Sequence, residues 1–68
     1  MDHHEAVRKF EQLLLKEADH AREVATELES LVPILTTENS RHLAQVQIKA
    51  SHRQAKEFRE LAERVKEK

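Results

Sequence analysis

Residues 17–20 read Glu-Ala-Asp-His and contain the side chains of this chain that are best suited to chemistry. In a helix, Glu17 and His20 lie three residues apart and project from the same face. Carboxylate-bridged di-iron bundles use such a Glu-x-x-His pair on two helices and a lone glutamate on each of the other two. The chain carries one pair, so a second copy would have to supply the other. One function left open is therefore a histidine and carboxylate metal-binding helical bundle centred on Glu17 and His20.

The opposing ligands of such a site are missing at the expected level of the partner helix. If the chain folds back near residue 34 or 35, residue 17 lies opposite roughly residue 52. The core positions at that level are Ser51 and Ala55, and Glu57 falls on another face of its helix. Because no opposing carboxylate is placed correctly, we predict no metal site and no cofactor.

Catalytic constellations are also missing from the sequence. His42 and His52 share a helical face, but ten residues separate them, which is about 15 Å along a helix. Ser51 and His52 are adjacent, so their side chains point apart. The chain contains no glycine, and a phosphate-binding loop depends on glycine. We therefore predict that the protein is not an enzyme.

The composition limits both the fold class and the kinds of partner that are expected for the chain. The chain has 68 residues, no cysteine, no glycine and one proline, and helix-forming residues dominate it, so we predict an all-α protein. Charged residues make up 37% of the chain, yet the net charge is −1, which argues against nucleic acid as a partner. The apolar runs are too short for a transmembrane helix, and we expect no membrane binding. We expect an intracellular, cytoplasmic location.

Pro33 lies in the one region that breaks the helical pattern. Its ring removes a backbone donor and clashes with the preceding turn, and it pushes Val32 away from helical geometry. The sequence therefore predicts a single helical-hairpin domain over 1–68, with a helix over about 3–31, a turn over about 32–37 and a helix over about 38–66. Residues 1–34 carry a net charge of −4 and residues 35–68 one of +3, which favours antiparallel pairing of the helices and also pairing of two copies.

Apolar residues at three-four spacing form a stripe on each predicted helix. We predict that these residues form the core and the interaction surface: Val7, Phe10, Leu14, Ala21, Val24, Leu28 and Leu31 in the first helix, and Ile48, Ala55, Phe58, Leu61 and Val65 in the second. Glu17 and Ser51 are polar members of the two stripes. A polar layer in an apolar seam commonly specifies register or partner, so we expect Glu17 and Ser51 to form a specificity layer.

The apolar stripe of the first helix is wider than a two-helix seam requires. Ala18, Ala25 and Val32 widen it on one edge, and Leu13 lies on the other. A wide face needs two neighbouring helices, so we expect a second copy or a partner helix to complete the coiled-coil-like hairpin to a bundle. The function that follows is a non-enzymatic protein–protein interaction module, acting as an adaptor, a chaperone-like protein or an assembly subunit, in a homodimer or hetero-complex. A weakly stable monomeric hairpin remains the alternative.

Overall fold

The computed structural model describes residues 2–66, and within them the chain forms a helical hairpin. Helix α1 spans His3–Leu31, a short 3-10 turn follows at Val32–Ile34, and helix α2 spans Glu38–Lys66. The two helices pack side by side in opposite directions along a body of 52 × 16 × 12 Å. The predicted all-α, two-helix hairpin is confirmed, while its completion to a bundle stays a prediction.

Each helix begins at a side chain that accepts a backbone hydrogen bond. Asp2 lies at the N-cap of α1, where its Oδ1 accepts from the backbone N–H of Glu5 at 2.8 Å. Thr37 does the same for α2, because its Oγ1 accepts from the backbone N–H of Ser40 at 3.1 Å. Each bond satisfies an otherwise unpaired donor of the first helical turn and thereby determines where the helix begins.

The 3-10 turn prolongs the helical path of the chain beyond Leu31, where α1 ends. Pro33 lies near the start of the 3-10 turn, where a missing backbone N–H costs little. The backbone N–H of Leu35 donates to the carbonyl of Leu31 at 3.1 Å, which is the spacing of a helical bond. Arg41 reaches back from α2 and donates from Nε to the carbonyl of Leu35 at 2.8 Å. The chain therefore reverses after Leu35, between the 3-10 turn and α2.

A regular three-four pattern of buried and half-buried residues joins the two helices, and we call it the inner seam. Its members are Val7, Glu11, Leu14, Ala18, Ala21, Ala25, Leu28, Val32 and Leu35 on one side, and Ala44, Ile48, Ser51, Ala55, Phe58, Ala62 and Val65 on the other. The fully buried apolar residues among them are Leu14 and six alanines. Small side chains let the helix axes approach closely, but each buries little apolar area.

The inner seam corrects part of the predicted stripe. In α1 the seam uses Ala18, Ala25 and Val32, which the sequence analysis had placed on the edge of the face. Phe10, Glu17 and Leu31 are exposed instead, and so is Leu61 of α2. The physical reason is that a row of alanines on both helices permits the closest contact, and the larger side chains one position earlier then lie outside that contact.

Candidate interaction surface

Large apolar side chains outside the inner seam concentrate at one kind of helical position. Six of them each directly precede a seam residue, and we call this set the outer apolar face: Phe10, Leu13, Leu31, Ile34, Leu43 and Leu61. Leu13 is 60% exposed, Leu43 is 58% exposed and Ile34 is 70% exposed. A fully buried leucine contributes about 1.5–3 kcal/mol, so the hairpin leaves much of its available hydrophobic stabilisation unused.

These six residues lie on one side of the hairpin. In an antiparallel pair of helices, the residues that directly follow a seam residue lie on the same side of the hairpin in both helices. The residues that directly precede a seam residue lie together on the opposite side. The reason is that the second helix both runs in the reverse direction and faces the first, and these two changes cancel. Glu29 follows Leu28 and His52 follows Ser51, and the two meet with Glu29 Oε1 3.1 Å from His52 Nε2. That contact identifies the side of the following residues, so the outer apolar face occupies the opposite one.

The outer apolar face is divided into two clusters by a polar centre. Leu31, Ile34 and Leu43 form the turn-end cluster, because all lie within a few residues of the chain reversal. The open-end cluster lies near the chain termini and contains Phe10, Leu13 and Leu61. Between them, the positions that precede the seam are held mainly by polar residues: Glu17, His20, Glu27, Gln47, Gln54 and Glu57.

The other side of the hairpin is polar. Two large apolar side chains among residues 2–66 are exposed away from the outer apolar face, namely Leu15, which follows a seam residue, and Val46, which lies on the back of α2. Around them lie the Glu29–His52 pair and charged residues of both helices. The exposed large apolar side chains are therefore concentrated on one side of the hairpin rather than scattered over its whole surface.

The predicted interaction residues divide between the two surfaces. Nine of them are buried or half-buried within the hairpin: Val7, Leu14, Ala21, Val24, Leu28, Ile48, Ala55, Phe58 and Val65. Phe10, Leu31 and Leu61 lie on the outer apolar face. The predicted interaction residues did not include Leu13, Ile34 and Leu43, although sequence reasoning placed Leu13 on the edge of the wide apolar face of the first helix. Contact of any of these residues with another chain stays a prediction.

The expected layer of Glu17 and Ser51 does not form between α1 and α2. Ser51 is 2% exposed and its Oγ accepts a hydrogen bond from Gln47 Nε2 at 3.2 Å, whereas Glu17 is exposed. The level is also different, because His52 lies beside Glu29 rather than near residue 17, and twelve residues span about 18 Å of helix. Reversal after Leu35 moves the level in this direction, because the helical path continues beyond the expected turn centre. A contribution of Glu17 to specificity in a contact with another chain stays a prediction.

Glu17 and His20 do lie on one face, as their spacing requires, in the polar centre of the outer side. Within residues 2–66 no group of three or more His, Cys, Asp or Glu side chains is arranged to hold a metal ion. A metal site at Glu17 and His20 would therefore need ligands from a second chain, and that hypothesis stays a prediction.

Two further findings bear on the class of protein. Neither helix in residues 2–66 combines the length and apolar character needed to cross a membrane. Comparison of the chain with protein families, curated proteins and solved structures gives no match. The fold and the outer apolar face are therefore the basis for a functional interpretation.

Proposed function

We propose that this chain is a non-enzymatic interaction module that buries its outer apolar face against another helical chain, either a second copy or a different protein. The observation that carries the proposal is the placement of Phe10, Leu13, Leu31, Ile34, Leu43 and Leu61 on one side of the hairpin. Exposed apolar clusters that are bordered by polar residues and concentrated on one side of a protein usually mark sites of association.

The composition of the inner seam supports the same conclusion. The most buried apolar residues in 2–66 are six alanines and Leu14, and larger seam residues such as Ile48 and Phe58 are half-buried, so the hairpin uses only part of its available hydrophobic stabilisation. A single core in a chain of this size is marginal even when it is built from larger side chains, and the sequence has no cysteine with which to form a disulfide. Association through the outer apolar face supplies the missing burial.

The role that follows is that of an adaptor, a chaperone-like protein or an assembly subunit. Specificity in such a role comes from the polar centre around Glu17 and His20, because a partner must match polar groups there and apolar groups at both ends. We place the module in the cytoplasm, and a chain without cysteine does not depend on an oxidising compartment.

The test compares two exposed leucines that are two residues apart in α1. Leu13 belongs to the outer apolar face, whereas Leu15 lies on the polar side and serves as the matched control. If the chain associates with itself, sedimentation equilibrium and thermal melting across a dilution series will show that Leu13→Gln lowers both the mass and the melting temperature. Leu15→Gln will leave both close to those of the unchanged chain.

Association with a different protein needs a second measurement. A photo-crosslinking amino acid is placed at position 13 or at position 15 of the full chain in its native cells. We expect a covalent adduct of defined mass from position 13 and little from position 15. Equal behaviour of the two positions in both the mass measurement and the crosslinking would overturn the proposed function.

A further inference from the structure

We propose that a second copy of this chain covers the outer apolar face, and that the two hairpins are related by a twofold axis along their length, with both turns at the same end. The inference rests on the proposed function and deepens it by naming the partner and its orientation. In this arrangement α1 of one copy lies against α2 of the other, and the four helices form a bundle in which neighbouring helices are antiparallel.

The size of the face fits a second copy. The broad side of the hairpin measures 52 × 16 Å, an area on the order of 800 Å², and a stable protein–protein interface buries about 800 Å² per partner. Both helices contribute to this side along the length of the hairpin. A second hairpin of the same length matches that shape over the entire face.

The distribution of apolar and polar residues along the face also favours a copy of itself. Apolar clusters lie at the turn end and the open end, and polar residues such as Glu17, His20 and Gln54 lie between them. A continuous apolar helix docked on this face would leave those central polar groups without partners, which costs about 1–3 kcal/mol for each buried group. A second copy places apolar ends on apolar ends and the polar centre on a polar centre.

Charge then selects between the two twofold arrangements that bring these faces together. With the turns at opposite ends, α1 lies against α1 and α2 against α2. On this face α1 presents Glu17 and Glu27, so that arrangement sets the glutamates of one α1 against those of the other. With the turns at the same end, each α1 lies against an α2 whose polar residues on this face are Gln47, Gln54, Glu57 and Arg64, which carry no net charge.

These charges are still available for contacts between copies. Within residues 2–66, the one contact between ionisable side chains that joins α1 to α2 is the hydrogen bond between Glu29 and His52, and it lies on the polar side, away from the outer apolar face. The charge difference between the helices is thus mostly unused by contacts inside the hairpin. Exposed charges interact over about 8–10 Å at moderate ionic strength. The charges of two helices in direct contact therefore interact, whereas those of helices across a wider gap are screened.

The test measures distances between spin labels attached to single cysteines, since the chain has none of its own. Asn39→Cys marks the turn end and Arg53→Cys marks the middle of α2, and both positions are exposed and outside the outer apolar face. With the turns at the same end, the distance between the two Asn39 labels is no more than a bundle width, about 25–30 Å from helix diameter and spacing. With the turns at opposite ends, it approaches the 52 Å length of the hairpin.

The Arg53 label is the control for dimer formation, because a central position stays within a bundle width in either arrangement. Short distances for both labels support the inference. A short Arg53 distance with a long Asn39 distance overturns the orientation, and a chain without dipolar coupling at either label overturns self-association. In that last case the proposed function is judged separately by crosslinking from positions 13 and 15, so the two failures are distinguishable.

Discussion

The inner seam and the outer apolar face use opposite kinds of apolar residue. The inner seam buries alanines such as Ala18 and Ala25, together with Leu14, and it runs without interruption along both helices. The outer apolar face exposes larger residues, such as Leu13 and Ile34, in two clusters separated by polar groups. The most buried positions between the two helices are therefore mainly small, and large apolar side chains remain exposed outside that contact.

This division assigns different roles to the two surfaces. A seam of small residues has little space to spare, so it determines the spacing of the helices and tolerates no added volume. A surface of exposed leucines determines what the hairpin associates with, and substitutions there leave the spacing of α1 and α2 unchanged. Substitutions of similar size should therefore act differently on the two surfaces.

The largest effect is expected when a large residue enters the inner seam. Ala25 is 0% exposed, and Ala25→Leu adds three carbon atoms at a position that is fully enclosed between the helices. Such overpacking typically costs about 1–3 kcal/mol, so we expect a lower denaturant midpoint and loss of helical signal near ambient temperature. Circular dichroism during urea titration measures both quantities.

The matched control for Ala25→Leu is Thr26→Leu at the next position, which is exposed on the polar side. It adds a leucine to the same turn of the same helix, and an exposed substitution of this kind usually changes stability by no more than about 0.5 kcal/mol. If Ala25→Leu proved as stable as Thr26→Leu, the inference that the helices pack closely at Ala25 would be wrong.

The hairpin itself could be predicted from the sequence because local chemistry determines it. Pro33 cannot continue an interior helix, and Thr37 can accept a hydrogen bond from the N–H of Ser40 whatever the rest of the chain does. The absence of glycine and the abundance of helix formers left no competing structure. These signals operate within a few residues, so one sequence is enough to interpret them.

The position of the contact between the helices was harder to predict. Phe10 and Ala18 both fit a three-four pattern in α1, and ranking residues by hydrophobicity selects the rows that contain large side chains. The inner seam instead uses the row of small residues, because alanines on both helices allow closer packing. The level of Ser51 was also misjudged, since the helical path continues to Leu35 through a bond that composition does not reveal.

Ser51 is the buried polar residue of the inner seam in the described chain, and removing its hydroxyl should have a much smaller effect than adding volume at Ala25. Ser51→Ala loses the hydrogen bond from Gln47 Nε2 but gains helix propensity, so we expect a net change within about 0.5 kcal/mol. Urea titration measures the stability, and sedimentation equilibrium measures the mass.

Ser30→Ala provides a control for the change in helix propensity, because Ser30 is exposed and its Oγ donates to the carbonyl of Glu27 at 2.6 Å. A loss above about 1.5 kcal/mol for Ser51→Ala alone would mean that the hydroxyl contributes more than an ordinary hydrogen bond. A change in mass without a change in stability would instead assign Ser51 a role in choosing the partner.

The smallest effect is expected on the polar side of the hairpin. A hydrogen bond between Glu29 and His52 joins the helices there, and it is an ion pair only when His52 is protonated; both side chains are more than half exposed. Exposed pairs typically contribute about 0.2–1 kcal/mol, so Glu29→Gln should lower stability by less than about 0.5 kcal/mol. A double-mutant cycle with His52→Gln isolates the coupling from other effects of each substitution. A coupling above about 1 kcal/mol would mean that the polar side also holds the helices together, and the contrast between a structural inner seam and solvated outer surfaces would then fail.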